Sequence, residues 1–358
     1  MRFGLSNDQV QLKDTVRKFL ETQLPLTSVR ASSESDEGFD RKIWARMAQE
    51  LGLHSIGLPE AVGGTGDSLL DQVVVMEQLG RALDPSPYLT TIVLVARALA
   101  EAGDAGEHLN ALVSGERTAS LALSAGATAC ETAGDWKVFG SSRQVLHGGL
   151  VDDLMVLAET AVGPTLLWLG VGDVSVTTLD TLDLTRPLAD LTFNSAPATV
   201  IGEPGRGQEV VDTVLARASV ALAAEQVGGA SRALEMATAY AGEREQFGRP
   251  IGSFQSIKHL LADVMMEVES ARAAVLYAAW AFDTGDAEAQ QLVHLCQAVA
   301  SEAYLKSAKA CIQVHGAIGF TWEHDAHLFF KRASASRQLL GAPQEHRERI
   351  AAALLDAH

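Results

Sequence analysis

The sequence predicts an α+β protein: an N-terminal helical domain over about 1–116, a middle antiparallel β domain over 117–205, and a C-terminal antiparallel helical bundle over 206–358. Two changes of texture and one run of long helices predict it. From Ser6 to about Leu112, Val10, Leu12, Val16, Phe19 and Leu20 recur at helical spacing, with Ser6 or Asn7 able to cap the start. Further helices fit Lys42–Leu51 and Ser68–Ala82, joined through a loop punctuated by Gly57, Pro59, Gly63, Gly64 and Gly66. Near Thr118 the pattern changes to short β-branched or aliphatic runs: Ala119–Leu123, Gln144–His147, Leu154–Leu157, Leu166–Val171, Val174–Thr178 and Leu191–Phe193. Strands at that spacing with no helix between them imply an antiparallel sheet or small barrel. Gly202–Gly207 reads as a linker. Long Ala-rich helices then fit Gln208–Gly242, Ser253–Thr284 and Ala287–His315, with a shorter one from His324 to Leu340, and short connections make them a bundle.

Composition narrows the function. With 47% hydrophobic and 20% charged residues the chain can bury a large core, and its apolar runs are too short and interrupted to span a membrane. The start, Met1-Arg2-Phe3-Gly4, lacks the basic and apolar regions of a signal peptide. Cys130, Cys296 and Cys311 are odd in number and widely spaced, so no disulfide framework or zinc pattern emerges and a reducing cytoplasm is expected. A net charge of −17 repels nucleic acid and anionic lipid. Any anionic cofactor must therefore find a local cluster of donors.

Several chemistries lack their residues. Gly63-Gly64-Thr65-Gly66 and Gly205-Arg206-Gly207 do not continue as G-x-G-x-x-G in a βαβ setting, which disfavours a nicotinamide Rossmann enzyme. None of the ten histidines follows a Glu by three residues, so the bundle has no di-iron pattern. His324 and His327 share a helix face, but a solvated or hydrogen-bonded pair explains them better than a metal, and no metal is expected. No G-x-S-x-G pentad occurs to seat a serine nucleophile.

Two clusters carry the chemistry. Arg244-Glu245-Gln246-Phe247-Gly248-Arg249-Pro250-Ile251, with Phe254 and Gln255, ends one long helix and starts the next. It offers Arg244, a planar bidentate donor suited to a pyrophosphate, beside amides Gln246 and Gln255. Gln313-Val314-His315-Gly316-Ala317-Ile318-Gly319-Phe320 ends the third helix with glycines that let backbone approach a ligand.

Together these strings resemble the acyl-CoA dehydrogenase family, in which R-x-Q-F-G-x-P-I-x-x-F-Q and Q-x-H-G-G-x-G-[FY] occur in this order; Ala317 replaces the second glycine. Leu53–Gly66 is similar to a family loop ending P-E-x-x-G-G-x-G. Glu77-Gln78-Leu79-Gly80-Arg81-Ala82 resembles its E-E-L-G-R-A helix, and Asp183-Leu184-Thr185-Arg186 its D-x-T-R element. The resemblance implies FAD held between subunits. Arg244, Gln246 and Phe247 would lie at the pyrophosphate and adenosine side, Gln255 with Gln313, Val314, His315, Gly316 and Ala317 would reach the cofactor across the interface, and Gly341 to Gln344 would face the adenine. The implied reaction is α,β-dehydrogenation of an acyl-CoA to the 2-enoyl-CoA, with electron-transfer flavoprotein as acceptor.

The same alignment marks departures. One branch of the family places its catalytic Glu where this chain has Leu340, and the other where it has Ala218. Glu225, Glu323 and Glu345 lie nearby in sequence, of which Glu225 and Glu345 are the candidates for a displaced base. Ala122–Ala127 stands in place of the family's T-E-P-x-x-G-S-D segment, and Gln144–Gly148 in place of its W-x-[TS]-N strand. The chain thus resembles the base-lacking β-type subunits of actinobacterial heteromeric, heterotetrameric enzymes, in steroid side-chain or fatty-acid degradation. The alternatives are a self-sufficient homo-oligomer with a displaced Glu, and an assembly subunit without flavin.

Overall fold

The computed structural model describes residues 4–66, 68–123 and 126–356. Ser124 and Ala125, inside the segment that departs from the family's T-E-P stretch, lie outside the described residues. In chain order the helices α1 (Asn7–Gln23), α2 (Leu26–Ser33), α3 (Arg41–Gln49) and α4 (Leu69–Ala82) come first. A π-helical stretch, Leu89–Ala96, runs into α5 (Arg97–Glu101), followed by α6 (Glu107–Val113). The strands are β1 (Ala119–Ala122), β2 (Ala127–Thr132), β3 (Asp135–Leu146), β4 (Asp153–Ala158), β5 (Thr165–Gly170), β6 (Ser175–Leu179) and β7 (Leu188–Ile201). Then come α7 (Gly207–Glu243), a hairpin of β8 (Glu245–Gln246) and β9 (Arg249–Pro250), α8 (Gln255–Thr284), α9 (Ala289–His315), α10 (Ala326–Ser336) and α11 (Pro343–Asp356). Among the described residues no helix is long and apolar enough to cross a membrane.

The chain divides into two compact units: Met1–Val29 with Leu69–Asp84 and Ser219–His358, and Arg30–Ser68 with Pro85–Ala218. The second unit holds the sheet, in the order β1-β4-β5-β7-β3-β2 with β6 added on β7. The expected antiparallel sheet holds for the pairs of β2 with β3, β3 with β7, β4 with β5, β5 with β7 and β6 with β7; the departure is β1, which pairs with β4 in parallel, Ala119 opposite Asp153. The chain enters β4 from β3 across the sheet instead of by a hairpin, so β1 meets it running the same way. A parallel bridge between Thr128 and Glu159 brings β2 back to the end of β4, so the sheet curls towards a barrel. Leu154, Val156, Leu167, Leu169, Leu191 and Phe193 alternate inward to form its core. In the same unit His54 is fully buried, its ring 3.9 Å from that of Trp44.

The first unit is the bundle. Ser6 closes a capping box with Gln9, which fixes the start of α1. α4 and α7 touch backbone to backbone: a Cβ on Gly80 would lie 1.9 Å from the Glu225 carbonyl oxygen, and one on Gly228 1.8 Å from that of Glu77. Only glycine fits at either position. α9 packs on α7 through Ser307, whose hydroxyl donates to the Ala230 carbonyl, and through Ser301, which donates to the Gln226 side chain. The helix expected from His324 to Leu340 is shorter. It stops at Ser336, and α11 begins after a turn, with Pro343 at its first position where no N–H is needed.

Candidate functional site

The Arg244 string does not form a simple helix–turn–helix. α7 ends at Glu243, and Glu245-Gln246 pairs with Arg249-Pro250 in a minimal hairpin whose central residues, Phe247 and Gly248, both have positive φ, 54° and 74°. Both angles positive is what a type I′ two-residue hairpin turn requires, and Gly248 meets it without strain. Phe247 meets it at a cost, since its Cβ crowds the backbone there, yet it is 92% exposed and gains no core packing in return. Arg244 donates its N–H to Tyr240 and accepts from the Ile251 N–H, each at 2.8 Å, so the hairpin is anchored to the last turn of α7. Among the described residues the exposed Arg244 guanidinium has no carboxylate partner, and Gln255 is exposed at the start of α8.

The second string meets the first. α9 ends at His315, and Gly316 (φ 64°) turns the chain into a 3-10 segment to Phe320. The His315 ring stacks on Tyr240 at 4.4 Å, which brings the two clusters together at one end of the bundle. Gln313, Gly316 and Ala317 are exposed there, whereas the side chains of Val314 and His315 turn inward.

Gly341 and Gln344 are not brought to that end. Gln297 donates to the Leu339 carbonyl at 3.4 Å, and His346 lies against Gly341, so this turn rests on the first half of α9. Gln297 and Gln313 stand sixteen residues apart on α9, about 24 Å along a helix. The expected residues therefore form two clusters in one chain. The turn itself has Leu340 at φ 58° and Gly341 at φ 110°. Beneath it the Nδ1 atoms of His294 and His346 are 3.0 Å apart. Burial holds both imidazoles below the ordinary histidine range, helped at His294 by its partner and at both by Arg349.

The candidate bases differ in setting. Glu225 forms a buried ion pair with Arg332, Oε1 to Nη1 2.9 Å, with side chains 5% and 2% exposed. Arg332 also donates to the Asp84 carbonyl at 3.0 Å. A carboxylate so engaged is tied to its guanidinium. Glu345 is exposed in the first turn of α11, close to Gly341. Ala218 is fully buried within α7, and Leu340 is half-buried. Of the two histidines considered as a metal pair, His324 lies tilted against His315 and His327 packs edge-on against Trp322. Cys130 is exposed, while burial pushes the thiols of Cys296 and Cys311 up to about 12.

Sequence reasoning missed Tyr240, Arg332 and His346. Tyr240 carried a signal, since it lies one helical turn before Arg244 and so on the same face. Arg332 and His346 carried none, because their partners are distant in sequence.

Known proteins agree with the string-by-string resemblance. Residues 6–116 match the acyl-CoA dehydrogenase N-terminal domain, and residues 205–355 the acyl-CoA dehydrogenase C-terminal domain. Acyl-CoA dehydrogenase IpdE2 of Mycolicibacterium smegmatis is 35% identical over 349 residues, which cover 97% of this chain and 99% of that protein. Among solved structures, the ChsE4-ChsE5 complex from Mycobacterium tuberculosis contains a chain 30% identical, with a TM-score of 0.90 and 99% of each chain covered. A variant of the Tcur3481-Tcur3483 steroid ACAD contains one 28% identical, with a TM-score of 0.87 and 98% of each covered. Acyl-CoA dehydrogenases are FAD-dependent flavoproteins that oxidise a CH–CH bond. With both terminal domains matched and a relative of this identity aligned over nearly its whole length, this chain belongs to the acyl-CoA dehydrogenase family.

Proposed function

We propose that this chain is the subunit that completes the FAD site in a heteromeric acyl-CoA dehydrogenase whose partner subunit supplies the base. The observation that carries the reading is Leu340. By the sequence resemblance an aliphatic side chain, here on a left-handed turn, takes the register of the family's base, and the second register falls on Ala218, which is buried. Neither can take a proton. Glu225 is committed to Arg332, so it is a poor substitute.

The residues present suit the cofactor. Arg244 is a guanidinium without a carboxylate partner among the described residues, in a chain of net charge −17, and its planar fork suits a pyrophosphate. Gln246, Gln255 and Gln313 add exposed amides, Phe247 an uncovered ring, and Gly316 a place where backbone approaches closely. Gly341 and Gln344, at the other end of α9, would face the adenine of a second cofactor or of the same one across the interface. FAD, when bound, accepts the hydride from the β-carbon of the acyl-CoA. This chain's part is to hold and orient it, while the partner removes the α-proton and an electron-transfer flavoprotein takes the electrons. Because two of the similar solved structures are two-component complexes, one described as a steroid ACAD, the substrate proposed is a steroid side-chain acyl-CoA.

The test is purification of a tagged chain alone and in the complex isolated from its native host. The complex should be yellow and should reduce an artificial acceptor with acyl-CoA; the chain alone should do neither. If the chain alone holds FAD and turns over at the rate of the complex, the proposal is wrong. Glu345→Gln would then decide whether that residue is the base.

Phe247→Asn separates function from fold. Asn tolerates the left-handed region, so unfolding stability should rise by about 1 kcal/mol, while flavin retention in the complex falls. A lower melting temperature would contradict the strain argument.

A further inference from the structure

Three rings lie in consecutive contact, one pair stacked and the other tilted, at the end of the bundle that carries both motif clusters. His315 lies between Tyr240, at 4.4 Å and 30°, and His324, at 4.2 Å and 44°. His315 is 5% exposed, and its Nδ1 lies 2.7 Å from the Cys311 carbonyl. A carbonyl only accepts, so Nδ1 carries the proton and the ring orientation is fixed. Each outer residue is also tied to a neighbouring segment, Tyr240 through its backbone and His324 through its ring. The Tyr240 carbonyl takes the Arg244 N–H, and the Arg244 carbonyl takes the Ile251 N–H that closes the hairpin. His324 Nδ1 accepts the Ala326 N–H at 3.1 Å, at the first residue of α10. His315 itself is the last residue of α9, directly before the Gly316 turn. These contacts thus set the Arg244 hairpin on α7 in register with the Gly316 turn on α9, using α10 as a backstop.

From this arrangement we infer that Tyr240 and His324 are positioning residues for flavin binding. They act through His315, keeping the Arg244 hairpin and the Gly316 turn at the spacing at which both can engage one cofactor. The inference rests on the proposed role of those two segments in holding FAD.

Offset aromatic contacts of this kind correspond to a change of about three- to tenfold in an equilibrium constant. Tyr240→Leu removes one outer ring; Tyr240→Phe keeps it. His324→Asn removes the other ring yet retains a side chain able to accept the Ala326 N–H. The experiment measures the flavin dissociation constant of the complex isolated from its native host, by fluorescence after partial flavin removal, with the unfolding midpoint of each variant. Tyr240→Leu and His324→Asn are each expected to weaken flavin binding about three- to tenfold, with Tyr240→Phe restoring it to within about twofold of wild type. If Tyr240→Leu fails to fold, His324→Asn carries the test from the half-buried end. Flavin affinity unchanged in both variants, whatever their midpoints do, overturns the inference while leaving the FAD reading intact. Absence of flavin from the wild-type complex overturns both.

Discussion

Glu225→Ala is expected to lower the unfolding free energy by about 3–5 kcal/mol, because it removes the carboxylate from a buried ion pair with Arg332. The guanidinium would keep its bond to the Asp84 carbonyl. Replacing both partners by apolar residues of similar volume should recover much of the loss, since the desolvation cost then disappears with the charges. Chemical denaturation of Glu225→Ala, Arg332→Leu and the double variant tests this. A double variant no more stable than Glu225→Ala would show that the pair is not what the site depends on. The same series informs function, since Glu225 as a displaced base predicts lost turnover in Glu225→Gln at unchanged flavin content.

Acid should weaken the second unit through His54. Burial lowers its pKa from 6.5 to about 3 in the folded chain, and the Leu112 carbonyl, which raises it, offsets little. The unfolded chain takes up a proton near pH 6.5 while the folded one does not. Stability is therefore intact above that pH and falls as pH drops towards about 3. The loss is about 2 kcal/mol at pH 5 and about 4–5 kcal/mol at the acid limit. His54→Leu should fill the space beside Trp44 and Tyr88 and flatten the slope of unfolding free energy against pH by one proton between those limits. An unchanged slope would mean that His54 titrates normally.

Much of the fold was legible in the sequence where local chemistry agrees with the outcome. Ser6 and Gln9 spell a capping box and make one. Helices α7, α8 and α9 fall within about two residues of their expected ends because each is long and periodic. β2 escaped notice because Ala127–Thr132 alternates small and polar residues with no aliphatic run, and β3 and β7 were read short because Gly140, Asn194 and Pro197 interrupt them. The helical stretch after Leu89 is buried all round, so it shows no amphipathic period. At the site, residue identities were readable as strings, but their geometry was not. Phe at the first position of a left-handed hairpin turn reads as a helix breaker's neighbour, and nothing local reveals that Gly341 and Gln313 sit at opposite ends of α9.

The crossing of α4 and α7 has a mechanical consequence. At Gly80 and Gly228 no side-chain layer lies between the two helices, so neither can slide or roll a little while rotamers absorb the change. A push delivered to the middle of α7 must reach α4 undiminished. The Glu77–Ala82 stretch that first stood out as a family string is thus one half of a rigid strut, and the glycine at its centre is what makes the joint stiff.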